Sequence, residues 1–145
     1  MKRREFISQS CKALIAIPIG IGLTSCEGIY YVTNHNIEND VASIPFSEFQ
    51  IVKEGKTKLR KYVLLNTEKY KFPICIYRTG KNEFTSSLLE CTHQGCELNV
   101  AAGAFNCPCH GSEFSTQGEV LEGPAEHNLK TFQTKSDEKY IYVTL

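Results

Sequence analysis

Tyr140-Ile141-Tyr142-Val143-Thr144-Leu145 decides the fold class. Its residues alternate, with Ile141, Val143 and Leu145 on one side and Tyr140, Tyr142 and Thr144 on the other, the two-residue period of a half-buried strand. Ser136-Asp137-Glu138 supplies the turn before it. Similar runs of aromatic and β-branched residues recur from Ile44 onward, separated by turn chemistry. Residues 58–65 read as one strand and 71–78 as another. In the second, Phe72, Ile74 and Ile76 share a face and Cys75 sits on the opposite one as a packed core thiol. Gly80-Lys81-Asn82 reads as a hairpin turn into a further strand over 84–90. No long helical period free of Gly or Pro follows Ile44, so the sequence predicts an all-β domain, a small barrel or stacked antiparallel sheets.

The chemistry is concentrated in residues 90–112. Seven cysteines occur in the 145 residues, and four of them lie between positions 91 and 109 beside two of the four histidines. The pattern is Cys91-Thr92-His93-Gln94-Gly95-Cys96, then Cys107-Pro108-Cys109-His110-Gly111-Ser112. Two such tight loops can bring soft thiolates and imidazoles to one metal centre. Three readings compete. Clustered cysteines in a small exported domain commonly form disulfides, though this gives the histidines no role. A Cys2His2 zinc site suits the ligand types but leaves Cys96 and Cys109 unused. An iron–sulfur centre with two cysteines on one iron and two histidines on the other gives all six residues a place.

The paired boxes resemble the Rieske [2Fe-2S] proteins, in the disulfide-containing, cytochrome bc-like branch, over roughly a third of the chain. The resemblance implies stacked antiparallel sheets with a small cluster-binding subdomain made of two loops, 91–96 and 107–112. It implies that Cys91 and Cys107 ligate one iron and His93 and His110 the other, and that Cys96 and Cys109 form a disulfide. Imidazoles in place of two thiolates remove negative charge from such a cluster, and potentials of Rieske centres run from roughly −150 to +300 mV. Ser112 matches the family serine whose hydroxyl donates to a cluster sulfur. Phe114 stands where many quinol-oxidising relatives carry a tyrosine, which implies a lower potential. Gln94 replaces an apolar cap on the cluster. Gly123-Pro124-Ala125 is similar to the start of the family's proline loop, with Glu126 where a second proline is common.

The first residues address a different question. Arg3-Arg4-Glu5-Phe6-Ile7 resembles a twin-arginine export motif, and the apolar run 13–23 is roughly 16 Å long as a helix, about half a bilayer core. Leu23-Thr24-Ser25-Cys26 resembles a bacterial lipobox with Cys26 as the lipidated residue. The expected organisation is therefore a signal peptide over 1–25, a polar, Asn-rich tether over 26–43 and the cluster domain over 44–145, on the periplasmic side of a bacterial envelope and held to the membrane by lipid. Past residue 25 there are 12 basic and 15 acidic side chains. That balance gives no footprint for nucleic acid. The expected function is one-electron transfer, as a carrier or small subunit of an envelope oxidoreductase. Its redox partners would be a cytochrome or a larger oxidoreductase subunit, and catalysis would belong to that partner. The alternatives are the Rieske subunit of a quinol:cytochrome c reductase, a ferredoxin of aromatic-ring dioxygenases and, distantly, a structural zinc module. His35 and His127, outside the boxes, read as solvated side chains, and Cys11 lies within the export segment.

Overall fold

The computed structural model describes residues 28–101 and 103–145. Its strands, in chain order, are β1 (Asn36–Glu38), β2 (Val41–Pro45), β3 (Gln50–Lys53), β4 (Lys56–Leu59), β5 (Tyr62–Leu65), β6 (Ile74–Arg78) and β7 (Phe84–Leu88). They continue as β8 (Asn99–Ala101), β9 (Ala104–Asn106), β10 (Glu113–Ser115), β11 (Val120–Glu122), β12 (Thr131–Phe132), β13 (Thr134–Ser136) and β14 (Tyr140–Thr144). A 3-10 turn over Phe46–Phe49 joins β2 to β3. Three four-stranded sheets result, in the orders β1-β2-β14-β13, β12-β7-β6-β5 and β11-β10-β9-β8, with β3-β4 as a separate hairpin. The expected all-β, stacked antiparallel architecture is what the chain adopts.

The sheet β12-β7-β6-β5 separates two apolar cores. Val63, Leu65, Ile74, Ile76 and Leu88 join Ala42, Ile44, Phe49, Ile141 and Val143 in the first core. Leu64, Cys75 and Leu89 join Leu98, Phe105, Phe114, Ala125 and Leu129 in the second, which also contains Cys91 and Cys107. Burial on both faces explains why β5 and β6 read as unbroken apolar runs instead of alternating. Ile74, Cys75 and Ile76 are all fully buried, and each large apolar side chain removed from water contributes about 1.5–3 kcal/mol. The central sheet is thus the floor beneath the two cysteine loops. Burial also pushes the Cys75 thiol far above its ordinary range, so this side chain is an inert packing element.

Three expectations need correction. The strand expected over 58–65 is two strands in different sheets: β4 pairs with β3, and β5 pairs with β6. The break falls at Arg60, whose N–H donates to the Phe49 carbonyl and whose guanidinium donates to the carbonyls of Glu48 and Gln50. The strand expected from residue 71 begins at Ile74, after Pro73, which lacks a ladder N–H. The expected tether over 26–43 is largely part of the fold. Tyr31 bridges Leu64 in parallel, Val32 is buried in the first core, and β1 and β2 fall within or across this range. Residues 1–25 and Cys26 lie outside the described residues.

Candidate metal centre

Two turns with one hydrogen-bonding plan hold the boxes. In the first, the Cys91 N–H donates to the Cys96 carbonyl at 2.8 Å and the Gly95 N–H to the Cys91 carbonyl at 2.8 Å. In the second, the Cys107 N–H donates to the Ser112 carbonyl at 2.8 Å and the Gly111 N–H to the Cys107 carbonyl at 3.0 Å. Both plans need a left-handed fifth residue, and Gly95 and Gly111 supply it with φ of 69° and 81°. The amides that follow each leading cysteine are then free to point at its sulfur. His93 and Gln94 donate to Cys91, and Cys109 and His110 donate to Cys107. Such concave sets of N–H groups favour negative charge.

The two turns are locked face to face. Cys96, which closes the first, is disulfide-bonded to Cys109, the third residue of the second, with Cα atoms 6.5 Å apart and a sequence separation of 13. In the chain-entropy account a loop of this length contributes about 3 kcal/mol. The Cys91 and Cys107 side chains are 2% and 4% exposed and hydrogen-bond to each other. Burial pushes the Cys91 thiol up. Burial acts the same way on Cys107, but the bonds it receives from Cys91 and from the amides of Cys109 and His110 outweigh it and hold Cys107 low. The sulfurs of Cys96, Cys107 and Cys109 also lie within 4.8 Å of one another. Two of those three are joined in the disulfide, so this trio is not a thiolate site.

The imidazoles of His93 and His110 stand edge to face with ring centroids 4.9 Å apart. Nδ1 of His93 is buried without a hydrogen-bond partner, whereas His110 is exposed. An orphaned buried polar atom costs about 1–3 kcal/mol. A metal bond to that nitrogen would remove the cost, and two buried thiols in amide-lined turns complete a soft S and N donor set. The residues present therefore fit a [2Fe-2S] group.

A third loop braces the other two. Ser112, fully buried, accepts the Ala125 N–H at 2.9 Å, which leaves its own hydroxyl hydrogen to donate elsewhere. Thr92 donates from Oγ1 to the His127 carbonyl at 2.6 Å. Loop 123–127 is thereby tied to both cysteine turns. The role of Thr92 was not legible in the sequence, because its partner is a backbone carbonyl 35 residues away. The only available signal was a hydroxyl placed between Cys91 and His93. Phe114 is fully buried in the second core, Gln94 is exposed at the tip of the first turn, and Glu126 and His127 are exposed. His35 is exposed and lines a cavity of about 590 Å³ with Ile37, Asp40 and Leu145, away from the cysteine turns.

The chain is similar to known proteins over this region. The chain is similar to cytochrome b6-f complex iron-sulfur subunit 2 of Nostoc sp. PCC 7120, 43% identical over 56 residues, which is 37% of this chain and 32% of that protein. It is also similar to the chloroplastic cytochrome b6-f complex iron-sulfur subunit of Triticum aestivum, 43% identical over 56 residues, 37% of this chain and 25% of that one. The matched segment thus spans about a third or less of these relatives. The crystal structure of the plasma membrane Rieske protein PetC3 from Synechocystis PCC 6803 superposes with a TM-score of 0.52 at 34% identity, covering 59% of this chain and 87% of that one. The model of the Rieske [2Fe-2S] domain matches residues 47–133, a span that holds both cysteine turns, the bracing loop and the central sheet beneath them, and on that match the chain belongs to the Rieske [2Fe-2S] family.

Proposed function

We propose that Cys91 and Cys107 hold one iron through sulfur and His93 and His110 the other through imidazole nitrogen, and that the chain passes single electrons between redox proteins. The observation that carries the ligand set is the buried, partnerless Nδ1 of His93 in the same turn as the buried Cys91 thiol. Such a cluster would supply one-electron chemistry, accepting an electron more readily than an all-thiolate cluster and giving it up only to an acceptor of higher potential. The chain's own residues set the conditions. Leu98, Phe105 and Phe114 pack below the sulfurs and exclude water. The four amides on Cys91 and Cys107 disperse negative charge, and Ser112 offers a further donor. His110, at the surface, gives the electron a short path to a partner.

Purified native protein, reduced anaerobically, should show visible absorption, an electron paramagnetic resonance signal and about two irons per chain. Cys91→Ala and His93→Ala should each lose all three. Zinc in place of iron, with no resonance signal, would overturn the assignment.

The same reading places the chain outside the cytoplasm as a lipid-anchored electron carrier or small oxidoreductase subunit. Two features support this: the lipobox-like Leu23-Thr24-Ser25-Cys26 after an apolar run, and the Cys96–Cys109 disulfide, a bond that persists in oxidising compartments. The second reading is a Rieske subunit of a quinol:cytochrome c reductase. The Nostoc and wheat relatives, named as cytochrome b6-f subunits, favour it, and the exposed polar Gln94 disfavours an apolar quinol-docking tip.

A further inference from the structure

Between Leu89 and Lys130 the chain contains no lysine or arginine, and it carries six glutamates: Glu90, Glu97, Glu113, Glu119, Glu122 and Glu126. This stretch is the cluster-binding lobe. The rest of the described chain has twelve basic side chains against eight acidic ones, so a base with formal charge of +4 carries a lobe of −6. A composition near neutrality conceals this separation.

The placement of the glutamates is not that of a solvated face alone. Glu90 and Glu97 are bridge partners at the neck of the first cysteine turn. Glu113 and Glu122 are register partners at the neck of the second. Glu126 follows Ala125, whose N–H bonds Ser112 in the bracing loop. Like charges directly opposed across a ladder are destabilising. None of these carboxylates is in an ion pair among the described residues, where the ion pair found is Lys69–Asp40 in the base. The carboxylates do not converge as a metal site either. Among the described residues, the group of three with ligand atoms within 4.8 Å of one another is the cysteine trio. The lobe that exposes His110 therefore carries six carboxylates and no cation of its own.

We propose that this negative lobe is the docking surface for a redox protein with a basic face around its own electron-entry point, a positively charged c-type cytochrome. The proposal rests on the electron-relay reading above, since it requires the electron to cross at His110. The opposed glutamates lose their mutual repulsion when the partner's cations lie against them. Association is then steered by attraction of unlike charge.

Oxidation of the reduced native protein by stopped flow tests this, with a strongly basic cytochrome c and with ferricyanide, a small anion. The rate with the cytochrome should fall roughly tenfold or more as salt is raised through the range where the screening length shortens from about 30 to about 8 Å. The rate with ferricyanide should rise. Glu122→Lys with Glu126→Lys should slow the cytochrome reaction at low salt several-fold and speed the ferricyanide reaction, with the visible spectrum retained. Lys135→Glu, on β13 in the base, should do neither. A salt-independent cytochrome rate alongside a normal ferricyanide reaction would overturn the docking surface alone. A protein that gives no electron to either oxidant would overturn the relay reading and the surface with it.

Discussion

At the scale of single residues, the potential of the centre is set by how many donors reach its sulfurs. Phe114 shares the second core with Cys91 and Cys107 but has no hydroxyl. Ser112 does have one, and its oxygen is already fixed by the Ala125 N–H. A hydrogen bond contributes about 1 kcal/mol net, which for a one-electron couple is a few tens of millivolts. Phe114→Tyr should therefore raise the midpoint potential by that order, and Ser112→Ala should lower it, in redox titrations followed by visible absorption. An unchanged or lower potential in the Phe114→Tyr variant would remove Phe114 from the account. The cysteines and histidines of the two turns were legible in the sequence because each turn is local, with Gly in its fifth position. The role of Thr92 was not, and Ala125 was marked only as part of the loop that resembles the family's proline loop, since each acts through a contact to a distant part of the chain.

Elements show a similar division. The β13–β14 hairpin follows from alternation and from Asp137, whose Oδ1 accepts the N–H groups of Lys139 and Tyr140 at 2.7 Å and whose Oδ2 accepts the Tyr142 phenol at 2.9 Å. The amide of Lys139, then that of Tyr140 and the phenol, hold this exposed carboxyl below its ordinary range. A carboxyl depressed in the folded state stabilises the fold above its unfolded pKa of about 3.9, and that stability is lost as pH falls through the lower folded value. Melting of native protein and Asp137→Asn should therefore differ most near neutral pH and converge in acid. A gap that widens on acidification contradicts the capping role. By contrast, the break between β4 and β5 was hidden, because Arg60 and the backbone carbonyls it binds come from different parts of the chain and no periodicity marks the change of sheet.

Over the whole molecule, the N-terminal border of the domain was the largest misreading. Polar, Asn-rich sequence reads as a linker, yet residues 30–33 are clamped to the body at three levels. The Leu64 N–H donates to the Tyr30 carbonyl and the Val32 N–H to the Leu64 carbonyl. Val32 enters the first core. Glu48, only 7% exposed, accepts the Thr33 N–H at 2.8 Å and the Tyr30 hydroxyl at 3.1 Å, while the Arg60 guanidinium lies 3.8 Å from the Tyr30 ring centre. Glu48 and Tyr30 are 18 positions apart, so no local pattern could reveal the clamp. Removing the carboxylate leaves an amide and a phenol unsatisfied, at a cost of about 1–3 kcal/mol. Glu48→Ala should accordingly speed hydrogen exchange and proteolysis over residues 28–35 while the visible spectrum of the cluster stays unchanged, because the groups Glu48 holds, the Thr33 amide and the Tyr30 phenol, belong to neither the second core nor the cysteine turns. Glu48→Gln, which keeps an acceptor, should restore most of the protection. Equal protection in native and Glu48→Ala proteins would show that Val32 and the Leu64 ladder hold the segment without the carboxylate.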